Sequence, residues 1–117
     1  MNVLLVDDSK AMRVMVRRAL LQTGVCDLRV EEAENGSDAL AKLAHGLPDL
    51  ILSDWSMPEM TGIELLREIR SRGCGVRFGF ITREAASEQM RETAFQSGAQ
   101  FILTKPFDVQ HFRELLR

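Results

Sequence analysis

Leu50-Ile51-Leu52-Ser53-Asp54-Trp55-Ser56-Met57-Pro58-Glu59-Met60-Thr61-Gly62 is the stretch that decides how this chain is read. An apolar run of strand length ends in a carboxylate, and a Pro and a Gly then mark a loop before the next helix. A carboxylate at the end of a buried strand is costly unless partners or chemistry hold it there. Val3-Leu4-Leu5-Val6 repeats the arrangement near the N-terminus, followed by Asp7-Asp8. Side by side, two such strand ends bring three carboxylates together. Like charges at that range cannot all stay ionised without a cation. Oxygen-only ligands favour a hard ion such as Mg²⁺. The pattern points to an aspartyl-phosphate site, with a carboxylate nucleophile and a metal that neutralises the phosphoryl oxygens.

The same alternation runs through the chain. Val3–Val6 is followed by a helix over 10–22 with Met12, Met15, Val16, Ala19 and Leu20 on one face. Residues 28–31 form a weaker strand, Asn35-Gly36 a turn, and 37–44 a short helix. After the strand at 50–53, a helix over 61–70 buries Ile63, Leu66 and Ile69. Residues 76–81 make the next strand, ending at Thr82. A helix over 84–97 carries Ala86, Met90 and Ala94 and is capped by Gly98. The last strand is 101–103, and Asp108 caps a final helix with Val109, Phe112 and Leu116 inward. Five strands alternating with five helices predict an α/β fold, a parallel sheet covered on both faces. In an open sheet of this kind the site lies beyond the carboxyl ends of the strands. Asp7, Asp8, Asp54, Thr82 and Lys105 all fall there, and that convergence outweighs any single motif.

The bulk numbers narrow the function class. The chain has 117 residues, 45% hydrophobic and 27% charged, which suits one soluble domain over 1–117. A formal net charge of -2 argues against a nucleic-acid partner. No apolar stretch approaches the ~20 residues of a membrane span. A strand pattern follows Met1-Asn2 directly, so no signal peptide is expected and a cytoplasmic location is. Cys26 and Cys74 show neither metal spacing nor a disulfide framework. His45 and His111 are too isolated to be ligands.

Val6-Asp7-Asp8-Ser9, Asp54-Trp55-Ser56-Met57-Pro58, Ile81-Thr82-Arg83-Glu84 and Thr104-Lys105-Pro106-Phe107 resemble the receiver domain of two-component response regulators. The resemblance covers essentially the whole chain in order, and is strongest to the single-domain chemotaxis members of that family. It implies a (βα)5 flavodoxin-like, doubly wound fold with strand order 2-1-3-4-5; that order comes from the resemblance alone. It makes Asp54 the phosphoacceptor, Thr82 the switch hydroxyl and Lys105 the partner of the phosphoryl charge. It gives Mg²⁺ to Asp8 directly, to Asp7 mainly through water, and to Asp54 and the Ser56 backbone carbonyl. The implied partners are a histidine kinase as phosphodonor and an output protein, of which a flagellar motor switch is one candidate, with a phosphatase a further one. A monomer without an output domain, signalling by protein binding, is expected.

Each residue also has a plainer reading. Asp54 would simply end a strand and start a turn, Asp7 and Asp8 would favour a helix dipole, Thr82 is β-branched like many strand residues, and a lone Lys105 would be surface charge. Arg13, Arg17 and Arg18 read as a solvated helix face and Arg67, Arg70, Arg72 and Arg77 as surface charge, while the six Met residues are mostly core filling, with Met57 and Met60 as candidates for an exposed partner surface. A phosphate sink, a relay intermediate, or a small phosphohydrolase with an aspartyl nucleophile are the rival functions. The phosphohydrolase would place its nucleophile after the first strand. Two positions depart from the family: Arg83 stands where a small residue follows the switch threonine, a long cation placed to shield the phosphoryl group or add charge beside it, and Ile102 stands at the switch aromatic's position, with Phe101 one residue earlier. Period-two alternation puts Phe101 and Ile102 on opposite faces.

Overall fold

The computed structural model describes residues 1–104 and 107–116. Its elements alternate as expected: β1 (Asn2–Val6), α1 (Lys10–Leu21), β2 (Arg29–Ala33), α2 (Gly36–Leu43), β3 (Leu50–Asp54), α3 (Gly62–Ser71), β4 (Arg77–Thr82), α4 (Glu88–Gln96), β5 (Phe101–Thr104) and α5 (Val109–Leu115). The five strands form one parallel sheet in the order β2-β1-β3-β4-β5. This is the flavodoxin-like, doubly wound arrangement that the resemblance implied.

Strand alternation builds two cores. Leu4, Val6, Ile51, Phe78, Phe80 and Ile102 point to one face and pack with Ala39 of α2, Ile63, Leu66 and Ile69 of α3 and Ala94 of α4. Val3, Leu5, Leu50, Leu52 and Ile81 point to the other and meet Met12, Val16 and Leu20 of α1 and Phe112 of α5. Central β3 is buried at every position, whereas edge strand β2 alternates. That contrast explains why β3 was the clearest strand in the sequence and β2 the weakest.

Local chemistry sets the element ends. Ser9, Asn35, Thr61, Ser87 and Asp108 each accept a hydrogen bond from the backbone N–H three residues on, capping α1 to α5 in turn. Thr61 and Glu64 complete a capping box. Gly98, at φ +106, closes α4: its N–H reaches the Phe95 carbonyl, and the Ala99 N–H reaches that of Ala94. His111 is exposed at the start of α5, where its Nδ1 accepts from the Asp108 N–H at 3.1 Å.

Three expectations need correction. Helix α4 starts at Glu88, not residue 84, because Ser87 takes the cap and the Glu84 N–H is donated to the Thr82 hydroxyl at 3.2 Å. Met15 is exposed, since it lies a full ~100° step from Val16 on the side away from Leu20. Met57 is buried, and Met60 packs on the core against Gly36, so neither offers a partner surface.

Candidate functional site

The sheet register assembles the site. Val6 pairs with Ser53, so Asp7, one step past β1, and Asp54, the last residue of β3, emerge side by side. The Asp7 N–H donates to the Ala33 carbonyl at 3.1 Å, carrying the β1–β2 ladder one residue further and fixing where the acids leave the sheet. On the other flank Ile81 pairs with Asp54 and Thr82 with Thr104, so the ends of β4 and β5 face the same edge.

Carboxylate oxygens of Asp7, Asp8 and Asp54 all lie within 4.8 Å of one another. Asp7 and Asp54 are buried and Asp8 is exposed, which leaves the cluster open on one side. Asp7 Oδ1 accepts the Ser9 N–H at 2.8 Å. The Arg83 guanidinium stands 3.7 Å from the same oxygen. Burial, followed by the charge of Asp7, pushes the Asp54 carboxyl up to about 6, while the Trp55 amide and Arg83 pull the other way. Burial also raises the Asp7 carboxyl, against the Ser9 hydrogen bond and Arg83. Among the described residues, the cluster is therefore short of positive charge. Buried hard oxygens converging on one open point, electrostatically frustrated by one another, fit a small divalent cation.

Thr82 is buried at the end of β4, its hydroxyl accepting from the Glu84 N–H. Ser56 is exposed two residues past Asp54, in the loop before α3, and is not one of the three converging acids. Lys105, together with Pro106, lies outside the described residues. Ile102 packs in the core beside α3 and α4, whereas Phe101 lies in the opposite core, its ring over Gly79 and under the Arg77 guanidinium. The switch-aromatic position thus carries no ring, as its sequence indicated.

Three supporting residues were not legible beforehand. Arg13, expected in solvent, donates Nη1 to the Asp7 carbonyl and Nε to Glu32 Oε1 at 2.9 Å, tying the acid turn to β2. Arg17 joins the same Glu32 at 3.1 Å. Gly62 sits so close to the Asp54 backbone that a Cβ there would collide with the Asp54 carbonyl oxygen and lie 2.7 Å from the Phe80 ring. Only a Pro-to-Gly loop was visible in the sequence, not the approach that needs it. Gly62→Ala is expected to cost about 2 kcal/mol, read as a lower urea midpoint. An unchanged midpoint would mean that the Asp54 loop yields freely.

Arg70 and Arg77 are likewise more than surface charge: Arg70 donates to the Cys74 and Gly98 carbonyls at 2.9 and 2.8 Å, and Arg77 to the Leu115 carbonyl at 2.6 Å. These side chains link helices, strands and loops around the sheet.

Comparison with known proteins agrees with this geometry. The family model described as response regulator receiver domain matches residues 3–117. The chain is similar to the chemotaxis protein CheY of Pseudomonas aeruginosa, at 37% identity over 97% of this chain and 91% of that protein. It is 35% identical to chemotaxis protein CheY of Bacillus subtilis, covering 98% of this chain and 93% of the other. Among solved structures, chemotaxis protein CheY4 of Vibrio cholerae superposes with a TM-score of 0.86 at 33% identity, covering 98% of this chain and 94% of that one.

Proposed function

From the premise that this chain belongs to the response regulator receiver family, we propose that it is a chemotaxis-type phosphorylation switch that accepts a phosphoryl group on Asp54 from a histidine kinase. Receivers of this family are signalling switches of two-component systems rather than enzymes that turn over a metabolite. The observation that carries the reading is the meeting of Asp7, Asp8 and Asp54 at the carboxyl edge of the sheet, beside the end of β4 that bears Thr82. A phosphohydrolase would place its nucleophile after β1, at Asp7, whose Oδ1 is instead held by the Ser9 amide and faced by Arg83. The chemotaxis assignment draws on relatives named as chemotaxis proteins.

In this reading an ionised Asp54 oxygen bonds to phosphorus as the donor's phosphorus–nitrogen bond breaks, and the freed imidazole takes up a proton. Asp8, Asp54, the Ser56 carbonyl and Asp7 are the groups that would hold Mg²⁺. The ion, when bound, neutralises charge on the carboxylates and on the phosphoryl oxygens. Ser9 and Arg13 hold the acid turn in place. The Thr82 hydroxyl gives up the Glu84 amide to bond a phosphoryl oxygen, and Lys105 pairs with the phosphoryl charge. Release of Glu84 loosens the 82–87 segment, which starts α4 differently and changes the surface offered to an output protein. With Ile102 in place of a ring, the signal travels through this segment rather than through aromatic gating.

Trp55 reports on the site directly. It is the only tryptophan, adjoins Asp54, and packs edge-on to Phe80 with ring centroids 4.9 Å apart. Mg²⁺ is expected to change its fluorescence in a saturable way, and Asp8→Ala to remove the response. A titration curve unaffected by Asp8→Ala would place the ion elsewhere.

A further inference from the structure

We infer that Arg83 is a built-in counter-cation of the acidic cluster, seated against Asp7 in the metal-free protein and displaced by the arriving divalent ion. The inference rests on the reading of Asp7, Asp8 and Asp54 as the metal site. It assigns a role to a residue that the site chemistry above does not use.

The geometry has three parts. Arg83 directly follows Thr82, the last residue of β4, which sets it at the same sheet edge as Asp7. Its Nη2 lies 3.7 Å from Asp7 Oδ1, an oxygen otherwise held by the Ser9 amide. Its side chain is 52% exposed, against 4% for Asp7. One partner is therefore buried and immobile, and the other is half in solvent with an easy way out. At 3.7 Å the pair is an ion pair without a close hydrogen bond, a contact that is readily broken. Among the described residues, it is the one cation that forms an ion pair with any of the three acids.

The charges set the direction of coupling. Among the described residues, three carboxylates and one guanidinium leave the metal-free cluster partly compensated. A divalent ion entering the same space meets a positive charge already beside Asp7, and must either push it out or bind next to it. Both routes weaken metal binding, because each cation lowers the other's attraction to the acids. The half-exposed guanidinium is screened, so the effect is moderate: roughly a three- to tenfold penalty on metal affinity at low ionic strength, shrinking as salt is added. The small residue usual at this position in the family would impose no such penalty. This receiver therefore needs a higher Mg²⁺ concentration to fill its site, and its metal-free form is less prone to charge repulsion.

The test is a Mg²⁺ titration at low salt, followed by the backbone amide NMR shifts of Asp8 and Trp55, in the wild type, Arg83→Ala, Arg83→Lys and Asp8→Ala. Arg83→Ala should bind Mg²⁺ three- to tenfold more tightly than wild type, and Arg83→Lys should stay close to wild type. The gap between Arg83→Ala and wild type should narrow in 0.5 M salt. Equal affinities for wild type and Arg83→Ala, with Asp8→Ala impaired, would overturn the role of Arg83 while leaving the metal site intact. A gain in Arg83→Lys as large as in Arg83→Ala would also overturn it, because bulk and not charge would then be the obstacle. No saturable shift in any of the four would remove the metal site itself, and the inference with it.

Discussion

Asp54→Asn is expected to abolish phosphoryl uptake, whether the donor is a histidine kinase or a small molecule such as acetyl phosphate. The substitution keeps the size and shape of a side chain that is buried at the end of β3. What it removes is the anionic oxygen, and an amide does not replace a carboxylate as nucleophile. Deleting a nucleophile costs roughly a thousandfold or more, which places the variant below detection in an intact-mass measurement where the wild type gains one phosphoryl group. The other two acids are poor substitutes. Asp7 Oδ1 already holds the Ser9 amide and faces Arg83. Asp8 is exposed, on the open side of the cluster. A single phosphoryl group retained in Asp54→Asn would move the nucleophile to one of them and break the proposed mechanism.

The fold and the three acids were legible because each rests on a local pattern with a physical cause. A short apolar strand that ends at an Asp marks an acid that is costly there without partners, and the pattern occurs at both Val6-Asp7 and Ser53-Asp54. The strand order was not legible that way, since alternation fixes the parallel sheet but not which strands are neighbours. What stayed hidden depends on contacts between residues far apart in sequence. Arg13 reads as one charge in a solvated face until β2 brings Glu32 beside it. Arg83 reads as a cation beside the phosphoryl position, but its partner shows only once β4 sets it next to Asp7. The start of α4 was missed for the opposite reason. Thr82 and Ser87 each satisfy a backbone amide, and these two short bonds outcompete helix formation across 84–87.

The metal-free protein should also become markedly more stable on Asp54→Asn, and only above acid pH. The folded Asp54 carboxyl titrates near 6, above its ordinary value of 3.8, chiefly because burial disfavours its charge and next because Asp7 repels it. A raised carboxyl pKa means that the native state holds its proton more tightly than the unfolded chain does. Well below 3.8 both states are protonated and native stability is at its fullest. As pH rises from there through 6, the unfolded chain ionises freely while the native one resists, and stability is lost. Above 6 the loss levels off at roughly 2 to 3 kcal/mol, at about 1.4 kcal/mol per pKa unit. Asp7, raised in the same direction, adds to the trend as part of one coupled cluster. Asparagine carries no charge to desolvate and relieves Asp7 as well. Thermal unfolding in EDTA at pH 8 should show Asp54→Asn about 10 °C above wild type, with the two converging at pH 4. A gain of equal size at both pH values would trace it to packing instead of charge. Saturating Mg²⁺ at pH 8 should close most of the gap from the other side. It stabilises the wild type by binding the folded cluster, and does far less for a variant that has lost one of the three anions. The strain that destabilises the resting protein is thus the attraction that draws the metal, and then the phosphoryl group, to Asp54.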